Sequence, residues 1–457
     1  MTGQPRRVAV LARGVYPLHP YGGLERHVFD LVRFLLARDV AVTLITRPPT
    51  AAGQHADQQH ADDRLEHPAL STLYVPYWTF PLAGRRGTTI ADRNTAYLWF
   101  GWRAGRVAAR LASDRRVDIV HGLGASSLGY AGARPCDDGR RVPFIFNPQG
   151  LEEFGTTQNA VGRLKRLAYV PLQAAVRRCA AAADRVIATD RVLVAPVRAH
   201  LDLAEDKVCV VPNAVDIKLC ESWASSDTAA ELRRRVDLKP DAPLLLSVGR
   251  IEENKGFHVL AHALGEIAAG SVGPEGGMAG WRWVLVGDGP FRGRLERLVV
   301  RLGLGSQVVL LGRLSDAELH SWYRAATLFV HPTLYEGSSL VTLEAMVHRR
   351  AVVATTAGGL PDKVYPGVNG WLVSPGQAAP LAAAIREALS NRGQLRQMGD
   401  HSRSIVEQRF SWNVAVDQLL GVYREVLANP SKRPTGRRSI PGGRPPAVST
   451  LKRNDSG

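Results

Sequence analysis

Two carboxylates flank a glycine–serine turn in the segment YEGSSLVTLEAM, residues 335–346. Glu336 comes just before the turn, and Glu344 follows eight positions later, on a pattern that predicts a helix. The backbone amides that would begin this helix belong to Gly337, Ser338, Ser339 and Leu340. Free amides at a helix start attract phosphate, whereas a carboxylate repels phosphate and accepts hydrogen bonds from hydroxyl groups. The segment therefore predicts a ligand that carries both phosphate and hydroxyl groups, with one of the two serines as the helix cap.

Two cations stand in a second segment, SVGRIEENKG, residues 247–256. Arg250 ends a predicted strand, and Lys255 follows five residues later, just before a predicted helix. Two cations beside one helix start can bind a pyrophosphate group. Gly22 and Gly23 likewise follow the first predicted strand and open a helix, so their amides could receive a phosphate. Both segments favour an anionic ligand at strand ends.

The elements that would position these residues alternate regularly along the chain. Short β-branched runs such as RRVAVLAR, VAVTLIT and VDIVHGLG are separated by helical patterns, and the same alternation restarts at PLLLSVGR. Strands that are apolar along their whole length indicate parallel sheets covered on both faces. We therefore predict an α/β fold with two doubly wound, Rossmann-like parallel-sheet domains, residues 1–215 and 216–410, that face one cleft. Ligands of such sheets bind at the carboxyl ends of the strands, where the candidate residues lie.

Length and composition agree with a two-domain globular protein. The chain has 457 residues, 45% of them hydrophobic and 22% charged, which is typical of a globular chain too long for one core. Four cysteines stand at unrelated spacings, so we expect reduced thiols in a cytoplasm and neither a disulfide framework nor a zinc site. The first apolar run is too short for a signal peptide, and no run approaches the ~18 apolar residues of a membrane-spanning helix.

The net charge of +16 is concentrated in two places. The tail, residues 428–457, carries seven Lys/Arg and one Asp, and its proline, glycine and serine content predicts disorder. Residues 161–183 contain five basic residues and no acidic one. These are Arg163, Lys165, Arg166, Arg177 and Arg178. The stretch is either a solvated helix face or a patch for anionic lipid or an anionic acceptor, and no accompanying motif favours nucleic acid.

Other features argue against a metal or a dinucleotide cofactor. His55, His60 and His67 lie among aspartates, but the near-duplicate QHAD indicates a surface loop. In VGDGPFRG the third glycine stands one position late for the dinucleotide fingerprint. No Asp-x-Asp motif, a common device for holding a metal and a pyrophosphate, occurs in the sequence. We therefore expect no metal and no cofactor.

In their order along the chain, many of these segments resemble the retaining glycosyltransferases of family four, also called group one, which have the GT-B fold. The resemblance runs from about Val8 to Leu427 and includes GGLERHV, DIVHG, VPNAVD, VGRIEENKG, VGDGP, HPTLYEGSSLVTLEAM, TTAGGLPDKV and NGWLVSP. It also includes FSWNVAVDQLLGVYREVL, which resembles a closing helix, about residues 411–427, that crosses back to the first domain. The resemblance implies a metal-independent enzyme that moves a hexose-type sugar from a nucleotide-diphosphate donor to a hydroxyl group with retention of configuration.

The resemblance also implies a role for each charged candidate. Arg250 and Lys255 match the pair that neutralises the leaving diphosphate. Glu336 matches the carboxylate that contacts the transferred sugar, and Glu344 matches the one that holds the ribose hydroxyls. His121, in DIVHG, matches a histidine near the reaction centre.

Backbone groups complete the implied donor site. Gly23 matches the glycine whose amide meets the diphosphate from the first domain, and the base is held by backbone groups near LGRLSD. The implied donor-binding residues are Gly22, Gly23, Gly287, Arg313, Leu314, Gly337, Ser338, Ser339, Leu340 and Glu344. The family usually has a bulky residue and then a glycine where Ser338 and Ser339 stand, so the fit to the donor sugar stays open.

The partners are less sharply predicted than the reaction. The donor base would be uridine or guanosine, and the acceptor a glycan, a lipid-linked molecule or a small molecule. We expect a cytoplasmic enzyme, with transient anionic membrane contact at the inner face as one interpretation of the basic stretch. The alternatives are a non-catalytic protein that binds a nucleotide sugar and a sugar-nucleotide epimerase of the same fold. A mere binding protein would be expected to lose Glu336, Arg250 or Lys255, and all three are present.

Overall fold

A computed structural model of the protein describes residues 5–19, 22–50, 65–78, 86–137, 140–149, 151, 154, 167–270 and 280–429. Several residues named above lie outside the described part of the chain: His55, His60, Arg163, Lys165, Arg166 and the basic tail from residue 430.

The first domain is built on a sheet of seven strands. They are β1 Arg7–Leu11, β2 Ala41–Thr46, β3 Leu70–Tyr74, β4 Ile119–Leu123, β7 Phe144–Asn147, β8 Arg185–Ala188 and β9 Val208–Val210, and a hairpin apart from the sheet contains β5 Cys136–Asp137 and β6 Arg140–Arg141. The sheet order is β3-β2-β1-β4-β7-β8-β9, and every pairing is parallel. The central strands are buried over nearly their whole length, as strands covered on both faces must be.

Helices cover both faces of this first sheet. They are α1 Gly23–Leu36, α2 Arg86–Asn94, α3 Ala96–Ser113, α4 Leu128–Ala133, α5 Val170–Ala182 and α6 Val194–Leu201, with single turns at Gly124–Ser127, Arg191–Leu193 and Glu205–Lys207. Alternate side chains of β1 enter different cores: Ala9 and Leu11 pack with α3, α4 and α5, whereas Val8 and Val10 pack with α1. This alternation is the two-residue period of a strand.

The second domain repeats the plan with six strands. They are β10 Leu244–Val248, β11 Arg282–Val286, β12 Val308–Gly312, β13 Leu328–His331, β14 Val352–Thr355 and β15 Gly370–Val373. Their order is β12-β11-β10-β13-β14-β15, again all parallel. The helices are α7 Ile217–Trp223, α8 Ser226–Arg235, α9 Phe257–Gly270, α10 Arg292–Arg301, α11 Asp316–Ala325, α12 Leu340–Val347, α13 Ala378–Ser390 and α14 Arg392–Ile405, with single turns at Glu253–Lys255 and Leu360–Asp362. The predicted fold class, two doubly wound parallel-sheet domains, is confirmed.

A last helix, α15 Trp412–Ala428, returns to the first domain after a π-helical turn at Val406–Phe410. Its apolar face joins the core that contains α1, and the Trp412 ring stacks on Phe34 at 5.7 Å. The chain passes between the domains twice in neighbouring places, because the amide of Val215 donates to the carbonyl of Phe410 over 3.0 Å. No helix among the described residues is long and apolar enough to cross a membrane.

Candidate active site

Lys255, His331 and the amide of Gly337 converge on Glu336, which follows β13. Lys255 Nζ lies 2.8 Å from Glu336 Oε2, and His331 Nε2 lies 2.9 Å from the same oxygen. The amide of Gly337 donates to Oε1 over 3.2 Å. Burial by itself would raise the pKa of Glu336, but the Lys255 ammonium and the His331 hydrogen bond outweigh burial and hold that pKa below its usual range. Glu336 is therefore an ionised carboxylate that can only accept hydrogen bonds.

The loop after β10 brings Lys255 to this carboxylate. The carbonyl of Asn254 accepts hydrogen bonds from the amide of Leu334 at 2.8 Å and from Thr333 Oγ1 at 3.1 Å, which ties the turn Glu253–Lys255 to the segment before Glu336. Gly256 closes the turn with φ +69°, and a side chain there would place its Cβ 2.0 Å from the carbonyl oxygen of Pro332. Only glycine fits such a close approach with this backbone.

The start of α12 lies directly beside the cluster. Ser339 is the helix cap, and its Oγ accepts from the amide of Thr342 over 3.4 Å. The same Oγ lies 3.4 Å from His331 Nε2. The prediction that a serine caps this helix is confirmed, and the capping serine is the second of the two.

Glu344 lies in the middle of α12, about one turn after its start, and has a different environment. The hydroxyl of Tyr323 donates to Glu344 Oε2 over 2.8 Å. Burial raises the pKa of Glu344 to about 7, against the lowering effects of the Tyr323 hydrogen bond and of Arg26 from α1. The two environments therefore act in opposite directions, since Lys255 and His331 favour the ionised form of Glu336 whereas burial favours the protonated form of Glu344.

Arg250 does not join the cluster around Glu336. Its side chain is 67% exposed, and its Nε lies 3.3 Å from Glu252 Oε1. The structure therefore brings Lys255 and Glu336 together and leaves the Arg250 side chain exposed to solvent. A long, exposed side chain can change its direction at little cost.

The start of α1 faces the start of α12 from the first domain. Gly22 precedes the helix in extended conformation without a side-chain cap. A Cβ added at Gly23 would lie 3.7 Å from Leu340 Cδ1. Two helix starts, one from each domain, therefore lie on either side of the same space, as the interpretation of Gly22 and Gly23 requires.

Three further donor-binding candidates lie at the carboxyl edge of the second sheet. The amide of Gly287, after β11, donates to the carbonyl of Gly312 over 2.7 Å, so this glycine joins neighbouring strand ends. Arg313 is exposed and Leu314 partly buried, directly after β12. Among the described residues, the hydrogen bonds and ion pairs of Glu336 and Lys255 involve none of these three.

His121 lies in the first domain, away from the cluster around Glu336. Its side chain is 1% exposed, and its Nδ1 lies 2.7 Å from the hydroxyl of Tyr423 in α15. Burial, together with nearby His27, lowers the pKa of His121 to about 3, so the ring is neutral. The ring is enclosed beneath α15 and bonds Tyr423 rather than the cluster around Glu336, so its expected position near the reaction centre stays a prediction. The motif DIVHG indicated a strand end, but it could not show which face of the sheet the side chain enters.

Two groups at the strand ends were missed by sequence reasoning. In the first domain, Arg13 Nη1 lies 3.3 Å from Asp92 Oδ2, and the hydroxyl of Tyr77 donates to the same oxygen over 2.8 Å. Between the domains, Lys363 forms an ion pair with Asp190 although the two are 173 positions apart. The motif TTAGGLPDKV contains Lys363, but nothing in the sequence connects that residue with Asp190.

Comparison with known proteins identifies the relatives of this arrangement. The profile of Glycosyltransferase Family 4 matches residues 21–219, and that of Glycosyl transferases group 1 matches residues 242–391. D-inositol 3-phosphate glycosyltransferase 1 of Catenulispora acidiphila is 30% identical over 340 residues, which cover 73% of this chain and 72% of that protein.

Solved structures extend the similarity to the fold. Sucrose-phosphate synthase from Thermosynechococcus elongatus superposes with a TM-score of 0.70 at 23% identity and covers 93% of this chain and 99% of its own. Anabaena HepE in complex with UDP-glucose gives a TM-score of 0.64 at 20% identity, with coverage of 92% and 99%. These similarities confirm the predicted GT-B architecture.

Proposed function

The chain belongs to the group 1 glycosyltransferases of family 4, and from that premise we propose that it transfers a hexose-type sugar from a nucleotide-diphosphate donor to an acceptor hydroxyl. The observation that carries the proposal is the 2.8 Å contact between Lys255 Nζ and Glu336 Oε2 beside the start of α12. It combines a cation for phosphate, a carboxylate for sugar hydroxyls and helix amides in one place. The similarity to a fold neighbour solved with UDP-glucose supports a donor of this class.

Lys255 and Arg250 would stabilise the leaving diphosphate. An ammonium group has three protons, and among the described residues Lys255 gives one of them to Glu336, so two are available for phosphate oxygens. The exposed guanidinium of Arg250 can turn towards the same group and bind it with two parallel hydrogen bonds. The amides at the starts of α1 and α12 add fixed donors from both domains.

The two glutamates would bind different hydroxyl groups of the donor. Glu336 is ionised and lies beside Lys255, so it would accept hydrogen bonds from the sugar that reacts. Glu344 lies on the same helix, and Tyr323 fixes one of its carboxylate oxygens. The other oxygen would accept the ribose hydroxyls, as the family resemblance implies.

The proposed mechanism is electrostatic. As the bond between the anomeric carbon and the diphosphate oxygen breaks, negative charge grows on the diphosphate, where cations and amides stabilise it without a metal. The acceptor oxygen bonds to the anomeric carbon from the face that the diphosphate leaves, and the departing phosphate oxygen takes the acceptor proton. This sequence retains the configuration, and neither glutamate acts as a covalent nucleophile.

A panel of UDP- and GDP-linked sugars tests the proposal. The correct donor should stabilise the folded protein by RT ln(1 + [L]/Kd) and so raise its melting temperature. It should also release nucleoside diphosphate when its sugar is transferred to an acceptor or to water. Thermal stabilisation without release of nucleoside diphosphate from any donor would favour the non-catalytic binding protein instead.

Two measurements test the finer mechanism. Proton NMR of the product should show the anomeric configuration of the donor, and inversion would exclude the same-face attack. Turnover should persist in excess EDTA, because the developing charge is met by Lys255, Arg250 and amides; loss of turnover that Mg²⁺ or Mn²⁺ restores would overturn the metal-independent scheme.

We further propose that the acceptor lies close to an anionic membrane. At the start of α5, Leu167 is 70% and Val170 is 50% exposed, and Arg177 and Arg178 are exposed on the same helix. Pro171 stands in the first turn of α5, a position that suits the start of a helix. Exposed apolar and cationic side chains together suit the boundary between lipid headgroups and acyl chains.

The neighbouring helix α3 presents a similar surface. Trp99 and Trp102 are exposed one turn apart, with the guanidinium of Arg103 4.9 Å from the Trp99 ring and that of Arg106 5.5 Å from the Trp102 ring. Helix α4 packs against both α3 and α5. Tryptophan prefers the membrane interface, so this surface strengthens the proposal for the basic stretch.

Co-sedimentation with phosphatidylserine vesicles tests the membrane proposal. The wild type is compared with a variant in which Arg163, Lys165, Arg166, Arg177 and Arg178 are changed to glutamine. Residues 430–457 are removed from both proteins, since a basic tail could bind vesicles by itself. Binding should occur at low salt, weaken at high salt and fall in the variant; binding that the substitutions leave unchanged would make the stretch an ordinary solvated surface.

A further inference from the structure

An ion pair between the two domains lies beside residues 337–339, the turn before α12. We call this segment the donor-binding turn. Asp190 follows β8 of the first domain, and Lys363 follows the turn Leu360–Asp362 of the second. The side chains of both residues are 0% exposed, and Lys363 Nζ pairs with Asp190 Oδ1. The Lys363 ammonium also lies 5.4 Å from the centre of the Phe410 ring, next to the segment where the chain crosses between the domains. The pair is therefore part of the interface between the domains, on the side of that crossing.

Lys363 connects this ion pair to Ser338 in the turn before α12. Its Nζ lies 3.1 Å from Ser338 Oγ and 3.2 Å from the carbonyl oxygen of Gly359. With Asp190, these two acceptors use all three protons of the ammonium group. Because an ammonium group can only donate, Ser338 is the acceptor in this contact, and the position of its Oγ is fixed by Lys363.

The surrounding backbone leaves little freedom at this place. A Cβ at Gly359 would lie 2.4 Å from the carboxyl carbon of Asp190, so only glycine allows the approach. The amide of Gly359 donates to the carbonyl of Gly337 over 2.8 Å, which links the Lys363 turn to the donor-binding turn. The amide of Val192 donates to Asp362 Oδ2 over 3.2 Å, a second contact between the domains.

Stability alone does not account for a pair in this position. Removing two charges from water is costly, and apolar residues of similar volume are often as stabilising or more so. Asp190 Oδ2 has no hydrogen-bond partner among the described residues, which adds a further cost. Burial accordingly raises the pKa of Asp190 above its usual value, despite the opposing effect of Lys363. Buried ionic groups retained at such a cost can serve to fix one arrangement of the chain.

We infer that Lys363 is a positioning residue that holds Ser338 against Asp190 and so fixes the donor-binding turn while the two domains face each other. The inference rests on the proposed use of the amides at the start of α12 for the donor diphosphate. It also gives a role to Ser338, which stands where the resembled family usually has a bulky residue. In this chain the Ser338 hydroxyl bonds Lys363, which pairs with Asp190 of the first domain. The orientation of the donor-binding turn therefore depends on the first domain.

The test compares the removal of one charge, of both charges and of the hydroxyl. The variants are Lys363→Met, Asp190→Leu/Lys363→Met and Ser338→Ala, with Lys239→Met as a matched control at an exposed lysine. For each protein, the melting temperature, kcat and donor KM are measured, and UDP and GDP binding is followed by calorimetry.

Lys363→Met should lower the melting temperature, because the buried carboxylate of Asp190 loses its partner. It should also lower donor kcat/KM, because Ser338 loses the contact that holds it. The double variant should regain much of the melting temperature but keep a reduction of about tenfold or more in donor kcat/KM, the size expected for a lost hydrogen bond to a charged group. Ser338→Ala should show a similar loss of kcat/KM with little change in melting temperature. Combined with the double variant, it should cause no additional loss, because both remove the same contact.

The outcomes separate the inference from the proposed function. A double variant or Ser338→Ala with wild-type donor kcat/KM would overturn the inference while leaving the proposed function intact. A wild type that neither binds UDP or GDP nor releases nucleoside diphosphate from any nucleotide sugar would overturn the proposed function itself, and the inference with it. Lys239→Met should match the wild type in every measurement.

Discussion

The carboxyl edges of the two sheets differ in whether their polar side chains come from one short segment of the sequence or from several distant ones. At the second sheet, His331, Glu336 and the start of α12 form one continuous strand–turn–helix segment. Lys255 joins it from the turn after β10, the strand that pairs with β13. At the first sheet, Arg13, Asp92 and Tyr77 come from three separate segments. A site that binds phosphate largely with the amides of its own turn can be encoded in a short motif. A site made by side chains from distant segments cannot.

The comparison predicts that the largest losses follow changes in the second-domain cluster. Lys255→Ala should lower turnover by about 10²–10³-fold, because it removes a fixed donor from the developing diphosphate charge. Arg250→Ala should also lower turnover through the same diphosphate. Steady-state kinetics with the donor that the panel of nucleotide sugars identifies measures both effects, and Lys218→Ala is a suitable control because Lys218 is exposed. Folded Lys255→Ala protein with turnover within a few-fold of wild type would remove Lys255 from the mechanism.

The two glutamates should separate turnover from binding. Glu336→Ala should lower kcat by about 10–10²-fold, whereas Glu344→Ala should mainly weaken binding of the free nucleoside diphosphate, because we propose that Glu336 contacts the reacting sugar and Glu344 the ribose. Calorimetry with UDP and GDP, together with kcat for each variant, distinguishes the two effects. Equal nucleotide affinity in wild type and Glu344→Ala would contradict the ribose assignment.

The sequence anticipated the second-domain site better than the first-domain site for a physical reason. Glu336 and the cap of α12 follow from local rules, since a strand, a glycine turn and a helix cap are set by residues that are close in the chain. His121 follows no such rule. Its position in a strand was clear, but the face that it enters depends on α15, which returns from about 300 residues later; Tyr423 is 302 positions away.

The same limit explains the missed ion pair between the domains. Asp190 and Lys363 each stand near a recognisable strand end, and their types alone suggest solvated surface residues. Only the packing of one domain against the other buries both side chains completely. The fold class could be predicted because alternating apolar runs are a local pattern repeated many times. Which distant side chains meet across the cleft could not be predicted.

The unusual ionisation of Glu344 predicts a pH dependence of nucleotide binding. Its pKa is raised to about 7 by burial, and ribose hydroxyls donate to the ionised carboxylate. Below that pKa the carboxylate must lose a proton before it binds, so affinity should fall as pH decreases from 8 to 6, by up to about tenfold.

Calorimetry with UDP or GDP across this pH range provides the measurement. The terminal phosphate of the nucleotide also titrates near the lower end of the range, so Glu344→Gln serves as the control and should show only the phosphate contribution. A wild-type profile that matches Glu344→Gln would mean that the ribose does not select the ionised carboxylate.

The smallest effects should come from one substitution made in each domain, Tyr323→Phe and Tyr423→Phe. Each removes a hydroxyl from a buried ring, and both should lower the free energy of unfolding by about 1–3 kcal/mol, because a hydrogen-bond partner is left unpaired. The partners differ: Tyr323 donates to Glu344, the proposed ligand of the ribose, whereas Tyr423 bonds the enclosed ring of His121. Tyr323→Phe should therefore also weaken UDP or GDP binding by a few-fold, and Tyr423→Phe should leave nucleotide binding and kcat unchanged. A clear fall in kcat for folded Tyr423→Phe would return His121 to the reaction centre and would place catalytic chemistry on both sides of the cleft.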